Sequence, residues 1–284
     1  MLWQSPDIAV NAFRPIFPVA ARENCGLTRT VSYYTIVISV GCYIGNLLML
    51  YPKDDPYLNF RSPLAPLVLS PADTALLVID MQYSDAALED GIFALKRAQG
   101  LTAGLDYFGG EMKKIVPVIR MMQDVFREHS YEVMFSRIKA MTLDGRDRGR
   151  VHKNLNIHAQ PGSKESEVLA EIAPIGDEIV FSKTTGSVFN STSIHHVLLS
   201  MGICNLIMCG VMSSGCVESA ARDAIDLGYG VVVVADGSAS WTEDLHRASM
   251  RVMNGVFARV QSSEQVLSAI RSKAPLAMNT TEFW

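Results

Sequence analysis

The sequence predicts an α/β fold: a mostly parallel sheet covered by helices on both faces. Two observations carry this. Five short runs, at 75–80, 132–135, 178–181, 203–209 and 231–235, are apolar almost throughout. Strands buried on both faces read in this unbroken way, whereas half-exposed strands alternate. Stretches with apolar residues at helical spacing separate most of these runs, so strand and helix alternate along the chain. With 284 residues, 49% of them hydrophobic, the chain can bury one large domain of this kind and still carry an extension.

Residues 1–70 are that extension. Pro6, Pro15 and Pro18 break its first part, and no helical period emerges. Residues 30–52, TVSYYTIVISVGCYIGNLLMLYP, hold no charged group and are long enough to span a bilayer, with Arg14, Arg22 and Arg29 before them and Asp54 and Asp55 after. Thr, Ser, Gly and Asn dilute the apolar character, so the stretch equally fits an arm packed on the domain or on a neighbouring subunit. We prefer the arm and expect a cytoplasmic protein. Pro63, Pro66 and Pro71 mark a linker into a domain at 71–284.

Within the domain, 75–80 (ALLVID) is a strand ending in a carboxylate. Residues 111–129 place Ile115, Val116, Ile119, Met122 and Phe126 on one helical face. A second strand at 132–135 precedes a polar loop at 138–161, rich in Gly, Arg and Asp. A helix is expected at 165–172, and a third strand at 178–181 runs out at Ser182 and Lys183. The helix at 191–201 turns Ile194, Val197 and Leu198 inward. The fourth and fifth strands follow at 203–209 and 231–235, and helices at 243–257 and 263–270 close the chain. Right-handed crossovers are expected between the strands.

In an open α/β sheet, sites form just past the carboxyl ends of strands. That rule singles out Asp80, Lys183 and the turn after the fourth strand. The turn reads GVMSSGCVESAARDA, with Gly210 and Gly215 punctuating it and Cys216 opening a helix expected at 216–228. The unpaired amides and dipole at a helix start favour negative charge, which predicts a thiol of lowered pKa. Cys216 is then the nucleophile, Asp80 takes its proton and returns it to a leaving group, and Lys183 holds the charges. Amides of the 211–216 turn are the candidate donors to an oxyanion. Cys204 and Cys209 read as small core residues.

Other classes are excluded. The net charge is −4 and no basic run appears, so nucleic acid is not a partner. The five cysteines lack metal-site spacing and a disulfide framework, which points to a reducing compartment. No GxGxxG, GxxxxGK[ST] or GxSxG is present. His195 and His196 are adjacent and face different sides of a helix, and His246 reads as a partner to a neighbouring group. The sequon at Asn190 falls at the proposed site and is discounted, and a second stands at Asn279.

Over 74–270 these residues resemble the isochorismatase-like cysteine hydrolases, a superfamily that includes nicotinamidase, N-carbamoylsarcosine amidase, ureidoacrylate amidohydrolase and biuret amidohydrolase. The resemblance rests on LLVIDMQ with Asp80 and Gln82, on FSKTTGSVFNST with Lys183 and Phe189, and on GVMSSGCVESAARDAIDLGY with Cys216. It implies a three-layer α-β-α domain around a six-stranded Rossmann-like sheet, and a homo-oligomer whose neighbouring subunits help close the pocket. It implies an Asp–Lys–Cys triad at Asp80, Lys183 and Cys216. It also implies a cis peptide between Val211 and Met212 that sets the Met212 amide beside that of Cys216 as an oxyanion hole.

Departures from the family narrow the activity. The region YSDAALEDGIFALKRAQG contains no His where nicotinamidases hold a metal, so no metal or other cofactor is expected and nicotinamide is not favoured. The nucleophilic Cys favours cleavage of a C–N bond in a small amide, carbamoyl or ureido substrate. The alternatives are a vinyl-ether hydrolase that uses Asp80 as acid, and an inactive tethered or scaffold paralogue, against which the complete triad argues. Gln82, Arg137 and Phe189 are the candidate substrate contacts, with Arg137, Arg146 or Arg148 for a carboxylate and Phe189 as a wall.

Overall fold

The computed structural model describes residues 64–278. Residues 30–52 and Asn279 lie outside the described residues, as does most of the expected extension. Six strands form one sheet: β1 (Thr74–Ile79), β2 (Glu132–Ile138), β3 (Val180–Lys183), β4 (Asn205–Val211), β5 (Gly230–Ala239) and β6 (Arg259–Gln261). Their spatial order is β3-β2-β1-β4-β5-β6, and every neighbouring pair is parallel. The chain winds outward from β1 to β3, then returns past β1 and winds outward the other way to β6. The reversal lies between β1 and β4.

Eight helices accompany the sheet among the described residues: α1 (Tyr83–Ala86), α2 (Gly91–Ala98), α3 (Leu105–Glu128), α4 (Arg150–Asn154), α5 (Ile194–Met201), α6 (Glu218–Asp226), α7 (Glu243–Met253) and α8 (Ser263–Ser272). The two faces can be followed along β1. Leu76 and Val78 join one core cluster with Ile115, Ile119, Met122 and Phe126 of α3 and Val266 and Ile270 of α8. Ala75, Leu77 and Ile79 join the other with Leu198 of α5, Ala220 and Ala224 of α6, and Met250 of α7. This is the period-2 alternation of a strand feeding two cores, and it explains why β1 is apolar without interruption. Burial of each Val, Leu, Ile, Met or Phe among them contributes about 1.5–3 kcal/mol.

Local chemistry sets the element starts. Ser262 and Gln265 form a capping box at α8, with Gln265 N donating to Ser262 Oγ at 3.2 Å and Ser262 N to Gln265 Oε1 at 3.0 Å. Thr242 caps α7, its hydroxyl oxygen accepting from Leu245 N at 3.3 Å.

Several expectations are corrected. The segment 165–172 is not one helix but two 3₁₀ turns, Lys164–Ser166 and Ala170–Ile172. Between them the chain is drawn into pairing with the exit of β1: Tyr83 N donates to Glu167 O at 3.0 Å and Leu169 N to Met81 O at 2.9 Å. The helix expected at 191–201 starts at Ile194, after a 3₁₀ turn at Val188–Asn190. The helix expected at 243–257 ends at Met253, and β6 follows, too short to show a period. Residues 83–86 and 91–98 are helical, which their mixed composition hid. The expected linker at 64–70 is bonded into the domain, with Leu67 paired to Leu276 through amide bonds of 2.9 and 2.7 Å and Tyr131 Oη donating to Leu69 O at 3.1 Å.

Candidate active site

Asp80, Lys183 and Cys216 meet at the reversal between β1 and β4. Asp80 leaves β1 with φ +53°, a left-handed conformation that costs a non-glycine residue about 1–3 kcal/mol. Two backbone bonds hold it there, Asp80 N to Ser136 O and Gln82 N to Asp80 O, each 2.9 Å. On the facing strand, Gly210 has φ +118°, and a Cβ there would lie 2.1 Å from Ile79 O. Only glycine lets β4 pass this close to the residue that precedes Asp80.

Past Gly210, the Val211–Met212 peptide is cis, as the resemblance implies. The chain then makes one π-helical turn, Ser213–Val217, before α6 begins. Met212 O accepts from Gly215 N at 2.9 Å and Val217 N at 3.2 Å, which fixes the loop carrying Cys216.

Lys183 comes from β3, two strands from β1, and its side chain crosses β2 where that strand carries the small Ser136. The ammonium is fully buried and finds three partners: Asp80 Oδ2 at 2.8 Å, Thr185 O at 2.9 Å and Cys216 Sγ at 3.3 Å. Two of its donors go to Thr185 O and Cys216 Sγ, and the Asp80 carboxylate balances its charge as an ion pair. Ser136 Oγ donates to Asp80 Oδ1 at 3.2 Å. Oδ2 touches Lys183 as an ion pair but has no aligned hydrogen-bond donor. It is the carboxylate oxygen with capacity for a proton.

The electrostatics correct one expectation. Burial pushes the Cys216 thiol well above its ordinary range, Asp80 adds to this, and Lys183 pulls back without cancelling it. A helix start lowers a thiol pKa where water still reaches the sulfur. Here desolvation dominates, and a π-helical turn rather than an α-helical first turn surrounds Cys216. Burial works against the Lys183 charge, but Asp80 and the Cys216 sulfur outweigh it and hold the ammonium above its usual value. The resting set is thus carboxylate, ammonium and thiol, with no net charge. Moving the proton from sulfur to Asp80 keeps the sum at zero, whereas losing it to water would bury an unbalanced negative charge.

The candidate substrate contacts fare differently. Gln82 is buried, its amide nitrogen donating to Ile138 O at 2.8 Å and Glu165 O at 2.9 Å while its oxygen accepts from Ile138 N. Both ends are taken by backbone, so it braces β1 against β2 instead of facing a substrate. Arg137 is held by Ser182 Oγ at 3.2 Å, Ser166 O at 3.1 Å and Glu167 Oε2 at 3.3 Å. Its charge is already paired. Phe189 packs against Tyr229 with ring centroids 6.0 Å apart, at the edge of the second core. Cys209 is buried as expected, but Cys204 is exposed. His195 Nδ1 lies 2.9 Å from Tyr229 Oη, and His246 Nδ1 lies 3.0 Å from Ser213 Oγ, in the turn that carries Cys216.

Two buried polar groups beside the triad were not singled out in the sequence. Asp85 on α1 interacts electrostatically with Asp80, Lys183 and Cys216. His152 on α4 is buried near Lys183, and its Nδ1 has no partner among the described residues. Burial first, then the charges of Lys183 and Arg148, push its pKa down to about 4. A separate cleft of about 650 Å³ lies between α3, the end of β5 and α7, and none of the triad lines it.

Comparison with known proteins identifies the family. The family model of the isochorismatase domain matches residues 74–265. The chain belongs to the isochorismatase family. Among curated relatives, the uncharacterized isochorismatase family protein YddQ of Bacillus subtilis (strain 168) is 31% identical over 117 residues, covering 38% of this chain and 65% of that protein. The ureidoacrylate amidohydrolase RutB of Acinetobacter baylyi is 26% identical over 229 residues, covering 74% of this chain and 88% of that protein. Among solved structures, a cysteine hydrolase from Pseudomonas syringae pv. phaseolicola 1448A superposes with a TM-score of 0.63 at 24% identity, covering 75% of this chain and 99% of that one. The isochorismatase-family domain here is therefore a hydrolase domain with the family's parallel sheet. Among the described residues, no helix is long and apolar enough to cross a membrane.

Proposed function

We propose that the protein is a cysteine amidohydrolase that cleaves a C–N bond in a small amide, carbamoyl or ureido substrate. One observation carries the reading: the buried Lys183 ammonium touches both the Asp80 carboxylate, at 2.8 Å, and the Cys216 sulfur, at 3.3 Å. Sulfur attacks the substrate carbonyl as its proton passes to Asp80 Oδ2. The Met212 and Cys216 amides take up the developing oxyanion. Asp80 then hands the proton to the departing nitrogen, the C–N bond breaks, and an acyl thioester remains on Cys216. Water attacks the thioester, Asp80 takes one of its protons, and the carboxylic acid leaves as that proton returns to sulfur. Lys183 keeps its charge throughout. The name of the RutB relative supports a ureido or related substrate, and self-association of the chain is part of the same proposal.

The test is a panel of small amides and ureido acids, with isochorismate as the vinyl-ether control, read by ammonia release and product analysis. Cys216→Ala is expected to abolish turnover, and intact-mass measurement of the wild type under turnover is expected to show an acyl adduct on Cys216. Full activity of Cys216→Ala, or cleavage of isochorismate alone, would overturn the reading.

A further inference from the structure

Two elements outside the triad hold the turn that carries Cys216. From α7, His246 Nδ1 lies 3.0 Å from Ser213 Oγ, and Ser249 Oγ donates to Ser213 O at 2.9 Å. Residues three apart share a helical face, so α7 grips the first residue of the π-helical turn by both its hydroxyl and its carbonyl. From β5, Ser238 pairs with Gly210 in the ladder, and Ser240 Oγ lies 2.6 Å from Ser214 Oγ.

The cleft of about 650 Å³ lies between these two supports and α3, and both Ser238 and His246 line it. Ser238 is 3% exposed, and its hydroxyl has no hydrogen-bond partner among the described residues. Buried hydroxyls are nearly always bonded, so this one marks a place for an acceptor that the domain does not itself supply. His246 commits one ring nitrogen to Ser213, which leaves Nε2 for a second partner.

The charges of the cleft come as one acid and one base on each helical wall. On α3, Lys114 Nζ pairs with Glu111 Oε1 at 2.7 Å, and on α7, Arg247 Nη1 pairs with Glu243 Oε1 at 3.3 Å. Asp236, the remaining carboxylate, is taken by the start of α8, accepting from Ser263 N and Ser263 Oγ at 2.7 Å each. Ile115 and Ala235 give the lining an apolar part. A lone cation would meet Lys114 and Arg247 unfavourably, and a lone anion would meet Glu111 and Glu243 in the same way. A molecule that carries both charges on a short apolar body satisfies all four. Its ammonium goes to the two glutamates. Its carboxylate goes to Lys114 and Arg247 and accepts from Ser238 and His246.

We propose that this cleft is a regulatory site for a small zwitterion, whose binding is passed to Cys216 through His246 and Ser213. A ligand acceptor on His246 Nε2 fixes the tautomer in which Nδ1 accepts from the Ser213 hydroxyl. The turn is then held more firmly and the Cys216 sulfur reacts more slowly. The inference goes beyond the amidohydrolase reading and needs no turnover.

The test uses 6-aminohexanoate, with hexylamine and hexanoate as singly charged controls on the same carbon chain. Calorimetry on the wild type is expected to show the zwitterion binding about tenfold more tightly than either control. Saturating zwitterion is expected to slow iodoacetamide alkylation of Cys216 by about threefold or more, read by peptide mass mapping because Cys204 is exposed as well. The double variant Lys114→Gln/Arg247→Gln, altered at two exposed side chains, should keep the basal alkylation rate and lose the preference for the zwitterion. His246→Asn, whose shorter amide still reaches Ser213 but not the ligand, should bind 6-aminohexanoate without the slowing. A merely structural His246 would instead change the basal rate and leave the response to ligand intact. No binding of the zwitterion, binding no tighter than that of the controls, a preference that survives the double variant, alkylation that does not slow, or slowing that persists in His246→Asn would overturn the proposal. Absence of amide hydrolysis would count against the amidohydrolase reading alone.

Discussion

Asp85 is buried on α1, and Asp85→Asn has a consequence in stability. The carboxyl titrates near 3.8 in an unfolded chain and at about 7 in the folded protein. A raised acid pKa means that the native state keeps a proton that the unfolded state releases. The group's contribution is therefore fully present below pH 3.8 and is lost as pH rises toward 7, with no further loss above that. A shift of about three units at about 1.36 kcal/mol each gives a native-state penalty of about 4 kcal/mol at pH 8. That is large against a total stability of roughly 5–15 kcal/mol. Asn cannot ionise and carries no such penalty. Urea unfolding at pH 4, 6 and 8 should show the variant gaining on wild type as pH rises, with an unchanged denaturant slope. A difference that does not vary with pH, or a variant less stable than wild type at pH 8, refutes the reasoning.

Further outcomes follow from the same geometry. His152 is held neutral down to about pH 4 against an ordinary 6.5, so its contribution is present above 6.5 and is lost as pH falls to 4, by about 3 kcal/mol. Wild type should weaken over that range, and His152→Gln should weaken less; equal acid sensitivity in urea titrations would remove His152 as the cause. Gly210→Ala places a methyl group 2.1 Å from Ile79 O at φ +118° and should cost more than about 3 kcal/mol, together with activity, because β1 and β4 must separate. An unchanged thermal melt would show that the strands do not need the close approach.

The fold was legible wherever burial on both faces left an unbroken apolar run, as at β1, β4 and β5. It was not legible at β6, where three residues carry no period and pairing with β5 alone makes them a strand. The stretch at 165–172 has helix-forming residues, yet tertiary pairing with Met81 and Tyr83 outcompetes them. Asp80, Lys183 and Cys216 could be picked out because strand ends concentrate chemistry. Gln82 and Phe189 shared their motifs but point into backbone and core, a difference that residue type does not encode. Asp85 stands in the stretch YSDAALEDGIFALKRAQG, where residue type alone does not encode its burial. The Cys216 thiol stands above rather than below its ordinary range because burial and Asp80, which a helix start does not reveal, outweigh Lys183.

The protonated state of Cys216 also governs how the protein meets its surroundings. Thiol oxidation and disulfide exchange both proceed through the thiolate, and their rates follow how much of it is present and exposed. Burial and Asp80 keep that fraction small while the site is empty. In the mechanism we propose, the sulfur becomes a strong nucleophile only when a carbonyl is in place to receive it and Asp80 to take its proton. Peroxide and small disulfides offer no such carbonyl, so their reaction with Cys216 is expected to be slow, which thiol-alkylation and peroxide kinetics on the wild type would check.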